Sequence, residues 1–258
     1  KLVPGDQVKA KLPEVEERTT DGIVPSRLPV PVLYEDEKVL VVEKPSGMPA
    51  RPSPKHPEGT LLQDIAERYP EIQHIGGVER GGMTHRVDTE ISGPVLVARD
   101  KASYRELKRR VRRERFEWIY SALVEGQLSG EGTINQPVGN VKRRRNRLAV
   151  AREGRTARTH YRAQRHFKYE GMDYTLMEIQ PETSRRHQIR VHLSWYGFPV
   201  VGDHMYGPPN PRWLIDRLFL HLSVLAFPHP ETGEIVRIES PLPAELHDLL
   251  RYLSRPKL

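Results

Sequence analysis

Met83-Thr84-His85-Arg86-Val87-Asp88-Thr89-Glu90-Ile91-Ser92-Gly93, running directly into Pro94-Val95-Leu96-Val97-Ala98, decides how the rest of the chain is read. Asp88 sits between a basic pair, His85 and Arg86, and a Thr/Ser/Gly turn, and an apolar run follows at once. That run predicts a buried strand, and a polar turn anchored to a rigid strand is a place where a reactive side chain can be held. A single Asp in such a turn more often caps the turn than performs chemistry. The surrounding chain has to decide between the two.

Upstream, Val32–Tyr34 and Val39–Pro45 predict two strands around the polar turn 35–38. A Pro- and Gly-containing loop follows over 46–59, then a short amphipathic helix from Thr60 to Tyr69 with Thr60 as its cap. Downstream, Asp100 caps a strongly basic helix, Lys101 to Arg115, whose apolar face is Tyr104, Leu107 and Val111. Its other faces carry Arg109 and Arg113 among several cations. Phe116–Val124 predicts a strand, 127–140 a connection, and Val141–Arg147, with Arg143, Arg144 and Arg145, a basic loop or hairpin tip. Thr156–Phe167 and Met172–Gln180 form a strand pair. Thr183 or Ser184 then caps a helix over Arg185–Tyr196, which Gly197 stops. Leu218–Phe227 is a further strand and Pro243–Leu253 a closing helix. Strands and helices do not alternate regularly, which predicts an α+β fold with a mixed, largely antiparallel central sheet rather than a doubly wound one.

Composition narrows the function classes. The chain has 258 residues, 37% hydrophobic and 29% charged, enough for a sizeable core as one domain or two closely packed lobes. A net charge of +7 points to an acidic partner, with nucleic acid first. With no cysteine, disulfides, thiolate nucleophiles and cysteine zinc sites are excluded. No apolar run has membrane-spanning length and no signal-peptide pattern opens the sequence, so a cytoplasmic location is expected. Residues 1–30 read as an arm or linker ahead of a catalytic domain over 31–258. The opening Lys1-Leu2-Val3, without Met, is that expected of a fragment whose N-terminal module is missing.

Several familiar chemistries lack their signatures. There is no phosphate-binding Gly-x-x-x-x-Gly-Lys loop, no dinucleotide Gly fingerprint, no His-Glu-x-x-His helix and no Gly-x-Ser-x-Gly elbow. His187 and His192 are five apart, on different faces of the expected helix, and make a poor metal pair.

Against this background His85-Arg86-Val87-Asp88-Thr89-Glu90-Ile91-Ser92-Gly93 resembles the His-Arg-Leu-Asp-x-x-Thr-Ser-Gly signature of the RluA-type RNA pseudouridine synthases. Val41–Met48, with Lys44-Pro45, resembles that family's Lys-Pro-x-Gly segment, and Tyr120–Gly126 its Tyr-x-Ala-x-Val-x-Gly strand. Arg185–Leu193 resembles its Arg-Thr-His-Gln-Ile-Arg-x-His helix. Gly202-Asp203 with Tyr206-Gly207, then Leu220-His221 with Phe227–Pro230, resemble its last segments. The segments occur in family order over roughly residues 32 to 240. Val3–Val8 is similar to the end of the small RNA-binding domain that often precedes this catalytic domain.

The resemblance implies a pseudouridine synthase-like domain that isomerises uridine in ribosomal or transfer RNA, without metal or cofactor and as a monomer. It implies Asp88 as the catalytic carboxylate, Arg190 as its buried cationic partner, and Tyr120 as the ring that packs on uracil and helps remove the C5 proton. Arg86 is the residue expected to fill the gap left by a flipped base. His85, Lys44, Arg109, Arg113, Arg143, Arg144 and Arg145 are expected to contact RNA. Attack of Asp88 at C1′, attack at C6 and abstraction of a ribose proton all remain open. The chain departs from the family pattern at Ile91 and Arg186, where Thr is common, at Trp118 for Lys and at Arg51 for His. A catalytically silent RNA-binding or assembly factor with the same fold is the alternative reading.

Overall fold

A computed structural model describes residues 29–77, 80–85, 87–112, 116–141, 147–208 and 214–255, with Arg112 as backbone only. The expected arm therefore lies outside the described residues up to residue 28. Its end is already part of the core: Val30 is buried, donates its N–H to the Asp64 carboxylate at 3.0 Å and accepts from Arg68 at 2.9 Å.

Among the described residues three sheets make up the fold. In the first, β1 (Val32–Glu35), β2 (Val39–Lys44) and β3 (Gly93–Ala98) pair in that order. Every residue of β3 is buried, as the continuous apolar run demands. The second, six-stranded sheet is built from β4 (Glu117–Glu125), β5 (Glu131–Asn135), β8 (Arg158–Tyr169), β9 (Met172–Pro181), β10 (Leu220–Pro228) and β11 (Ile235–Glu239). Its order is β11-β10-β4-β9-β8-β5. A small hairpin of β6 (Val138–Asn140) and β7 (Leu148–Val150) brackets the basic run expected at a hairpin tip. All these pairings are antiparallel.

Among the described residues four helices complete the α+β architecture: α1 (Leu61–Arg68), α2 (Lys101–Arg112), α3 (Gln188–Trp195) and α4 (Ala244–Leu253), with a 3₁₀ turn at Pro70–His74. The expected cap of α1 is present as a capping box. Gln63 donates its N–H to Thr60 Oγ1, and Thr60 N–H reaches back to Gln63 Oε1. The start of α3 differs from expectation. Thr183 Oγ1 accepts from Arg158 N–H and donates to Gln188 Oε1, so it is not free to cap, and the helix begins three residues later behind His187. Strands β5, β6, β7 and β11 were not expected; each is five residues or fewer, too short for a two-residue alternation to stand out.

Two large hydrophobic cores result among the described residues, with a smaller cluster of Val138, Ala157, Val191 and Tyr206 beside them. One joins the three-stranded sheet, α1 and the outer half of β10; the other lies between the six-stranded sheet, α3 and α4. Tyr120, on the central strand β4 opposite Leu222 and Ile179, touches both. So does the stretch read first: Val87 packs on one core and Ile91 on the other, with Asp88 between them. Both side chains are partly buried, and each packs on a core, so the turn is held at both ends.

Candidate active site

The turn 87–92 is held from behind by β10. Ser92 accepts the Leu222 N–H at 2.9 Å, and its side chain accepts from Arg217 Nη2 at 2.7 Å. The Ser92 hydroxyl proton therefore goes to His221 Nδ1 at 2.9 Å, leaving His221 Nε2–H for the Ser240 carbonyl at 3.1 Å. Burial pushes the His221 pKa down to about 4, so the ring stays a neutral strut. Gly93 has φ of +128°, and a Cβ there would lie 2.5 Å from the Leu222 carbonyl; only glycine lets the two strands meet this closely.

From the front the turn is gripped by the Lys44-Pro45 segment. Lys44 lies opposite Gly93 across the β2–β3 pair. Its Nζ donates to the carbonyls of Pro45, Met48 and Thr89 at 2.8, 2.9 and 3.0 Å. Gly47 N–H also donates to Thr89 O at 2.9 Å, and Ser46 Oγ to Glu90 O at 2.6 Å. Lys44 has no exposed surface, and burial pulls its pKa down to about 7 against the pull of Asp88. The expectation that Lys44 contacts RNA is therefore corrected: its ammonium is spent inside the protein on three carbonyls.

Around Asp88 the structure gathers Tyr120, His187, Arg190 and Glu90. Asp88 Oδ2 is 4.0 Å from His187 Nε2, and the Asp88 side chain is 15% exposed. Burial, then the Asp88 charge, raises the pKa of the half-buried Tyr120 and keeps its phenol protonated. Arg190 is buried and turns two nitrogens onto Asp203, Nε to Oδ2 at 2.7 Å and Nη2 to Oδ1 at 2.8 Å. Its Nη1 lies 3.4 Å from the Glu90 carboxylate without a hydrogen bond. Burial works against the Arg190 charge, but the Asp203 bonds and the charges of Asp203, Glu90 and Asp88 outweigh it and raise its pKa. The direct partner of Arg190 is thus Asp203, and Asp88 is reached through its field. Burial likewise opposes the Asp203 charge, but Arg190 and the N–H groups of Tyr206 and Met205 hold its carboxyl below the usual range.

The remaining expected residues divide clearly. His85 is tied to the scaffold: Nε2 accepts the Leu96 N–H at 3.1 Å and the ring lies 4.6 Å from Trp118. Arg109 is exposed on α2, paired with Glu106. Arg86, Arg113, Arg143, Arg144 and Arg145 lie outside the described residues. Sequence reasoning assigned no role to His187, Asp203 or Tyr206. A buried arginine requires a carboxylate, but nothing along the chain says which of many acids, thirteen residues away, supplies it.

A cleft of about 1260 Å³ opens beside this group, with Glu90, Arg190, Arg147, Ser92 and Arg217 on its wall. Asp88 and Tyr120 are not among its lining residues, so the cleft borders the carboxylate rather than containing it. Among the described residues no three His, Asp or Glu side chains cluster to hold a metal, and no helix is long and apolar enough to cross a membrane.

The family model of the RNA pseudouridylate synthases matches residues 38–195. The uncharacterized RNA pseudouridine synthase YlyB of Bacillus subtilis is 39% identical over 258 residues, covering 99% of this chain and 82% of that protein. The ribosomal large subunit pseudouridine synthase D of Pseudomonas aeruginosa is 33% identical over 256 residues, covering 95% and 78%. Among solved structures, human RNA pseudouridylate synthase domain containing 1 superposes with a TM-score of 0.69 at 25% identity, over 89% of this chain and 96% of that one.

Proposed function

Since this chain belongs to the RNA pseudouridylate synthase family, we propose that Asp88 is the carboxylate on which its isomerisation of uridine turns. The enzyme converts uridine in RNA to pseudouridine. The N1–C1′ bond breaks, the base turns, C5 bonds to C1′, and the proton lost from C5 is balanced by one gained at N1. Nothing is oxidised or reduced, so the reaction asks for an ionised carboxylate, a surface against the uracil, and a site from which water is kept.

Asp88 is the group proposed for the first demand. The observation that carries the reading is its position on a turn bonded to β2, β10 and both cores, within the field of Arg190. Attack at C1′, attack at C6 and abstraction of a ribose proton are all compatible with it. Tyr120 supplies the ring against the base. Its phenol proton is held by burial and by the Asp88 charge, so Tyr120 can take the C5 proton only as the phenolate, which forms more readily once Asp88 has spent that charge. Arg86 is proposed to fill the stack vacated by the flipped nucleotide.

The proposed substrate is ribosomal RNA, in line with the relative named for the large ribosomal subunit, which would place the enzyme in the cytoplasm. The proposed working unit is a monomer, as the resemblance to the family implies.

The test uses RNA labelled with tritium at uridine C5. Asp88→Asn is expected to abolish tritium release while RNA binding survives. Release at the wild-type rate by Asp88→Asn would remove Asp88 from the mechanism, and binding by wild type without release from any ribosomal RNA would leave an assembly factor.

A further inference from the structure

His187 is one of two non-glycine residues with positive φ among the described residues, at 55°. It occupies the cap position of α3 yet makes no capping bond with its side chain. Holding a side chain in this left-handed region is strained, and such strain collects at functional sites. Here it turns the imidazole away from its own helix and into the space beside Asp88.

The ring is held there by Tyr206. Leu148 N–H donates to Tyr206 Oη at 3.1 Å, so the phenol oxygen is already an acceptor. Tyr206 is buried, and its proton has His187 Nδ1 at 2.9 Å. Donation in that direction makes Nδ1 the acceptor and leaves the imidazole proton on Nε2. Nε2 is the nitrogen that faces Asp88 Oδ2 at 4.0 Å. Gaps of this kind in a substrate-free site close to a hydrogen bond in the reacting complex. The Tyr206 ring is itself wedged between two guanidinium groups, Arg147 at 5.5 Å and Arg190 at 5.3 Å from its centroid.

We propose that His187 is a positioning residue for the isomerisation: locked by Tyr206 as the Nε2–H tautomer, it presents an N–H to Asp88 and keeps that carboxylate ionised and aimed. The inference rests on Asp88 being the catalytic group. Asp88 and Glu90 face the imidazole from the turn, Arg186 and Arg190 from its own segment, and Tyr206 from the loop after α3. Burial lowers the His187 pKa; Asp88 and Glu90 oppose this, while Arg190 and Arg186 add to it. The net effect favours the neutral ring, which makes the tautomer matter.

Three variants test it in single-turnover pseudouridine formation at saturating RNA, followed across pH. His187→Asn tolerates left-handed backbone but is too short to reach Asp88. His187→Gln places an amide nitrogen near the position of Nε2, and Tyr206→Phe removes the hydroxyl that sets the tautomer. The expected result is a loss for His187→Asn and Tyr206→Phe that approaches tenfold on the acid side of the Asp88 titration and narrows as pH rises through it, since one unit of pKa is a factor of ten where both carboxyls are mostly protonated. RNA affinity stays unchanged, and His187→Gln recovers most of the rate. Profiles superimposable on wild type, or an equal fall of all three variants at every pH, would overturn the proposal. Asp88→Asn runs alongside: its inactivity with unshifted His187 and Tyr206 profiles defeats this inference alone, whereas its turnover defeats the assignment of Asp88 beneath it.

Discussion

The Arg190 guanidinium gives two of its nitrogens to Asp203 and holds the third 3.4 Å from Glu90, on the same turn as Asp88. Arg190 thus carries positive charge to the site only because Asp203 anchors it there. Removing one member of a buried pair leaves the other charge without compensation, a loss of about 3–5 kcal/mol. Asp203→Asn is expected to lower unfolding free energy by that order and to remove activity with it. Urea unfolding of the variant measures this; a change below about 1 kcal/mol would show that Glu90 and Asp88 suffice to hold Arg190.

Lys44 predicts a pH signature in stability. Its folded pKa of about 7 lies below its ordinary 10.5, because burial disfavours the ammonium. Between those values the folded chain binds fewer protons at this site than the unfolded chain, so stability rises with pH across the window. Below about 7 both states hold the proton and the burial penalty is felt in full. Relative to Lys44→Met, the wild type is expected to gain up to about 1.4 kcal/mol per pH unit between these limits. Denaturant midpoints of the two proteins taken from neutral to alkaline pH check it, and parallel curves would refute it.

Ile91 stands where Thr is common in the resembling family, and its side chain packs on the core under α3 and α4. Ile91→Thr is therefore expected to cost about 1 kcal/mol of stability through lost packing and a poorly placed hydroxyl. Turnover should stay within about threefold of wild type, because the backbone bonds of the turn do not involve the side chain. Thermal unfolding and single-turnover rates of the same preparation separate the two effects.

Arg109 projects from α2 with about half its side chain exposed. Arg109→Gln is expected to weaken RNA binding at low salt and to reduce the slope of log K against log salt by about 0.7–0.9 if it neutralises one phosphate. The chemical step at saturating RNA should not change. An unaltered slope would place the RNA path elsewhere than this face of α2.

How far the sequence could be read depended on distance along the chain. The strand β3 and the capping box of α1 follow from side chains within a few positions of one another, and both stand where the pattern put them. The α+β class followed from element order alone. The RNA contact expected of Lys44 came with the resemblance, and the Val39–Pro45 strand pattern does not show that the lysine is fully buried. Its burial depends on Thr89, forty-five residues away, offering a carbonyl. The late start of α3 has the same origin: Thr183 has a capping side chain, but Arg158 and Gln188 occupy it. Asp203 and Tyr206 were visible as family segments without a role, since their work lies in contacts with Arg190 and His187 that only the fold creates.

The seating of Val87 in one core and Ile91 in the other has a mechanical consequence. A short segment anchored to two bodies behaves as the pin of a hinge: any rocking of one body against the other must be absorbed by the few dihedrals between the anchors. Asp88 lies within that span. A displacement of one half against the other would therefore be felt first at this carboxylate.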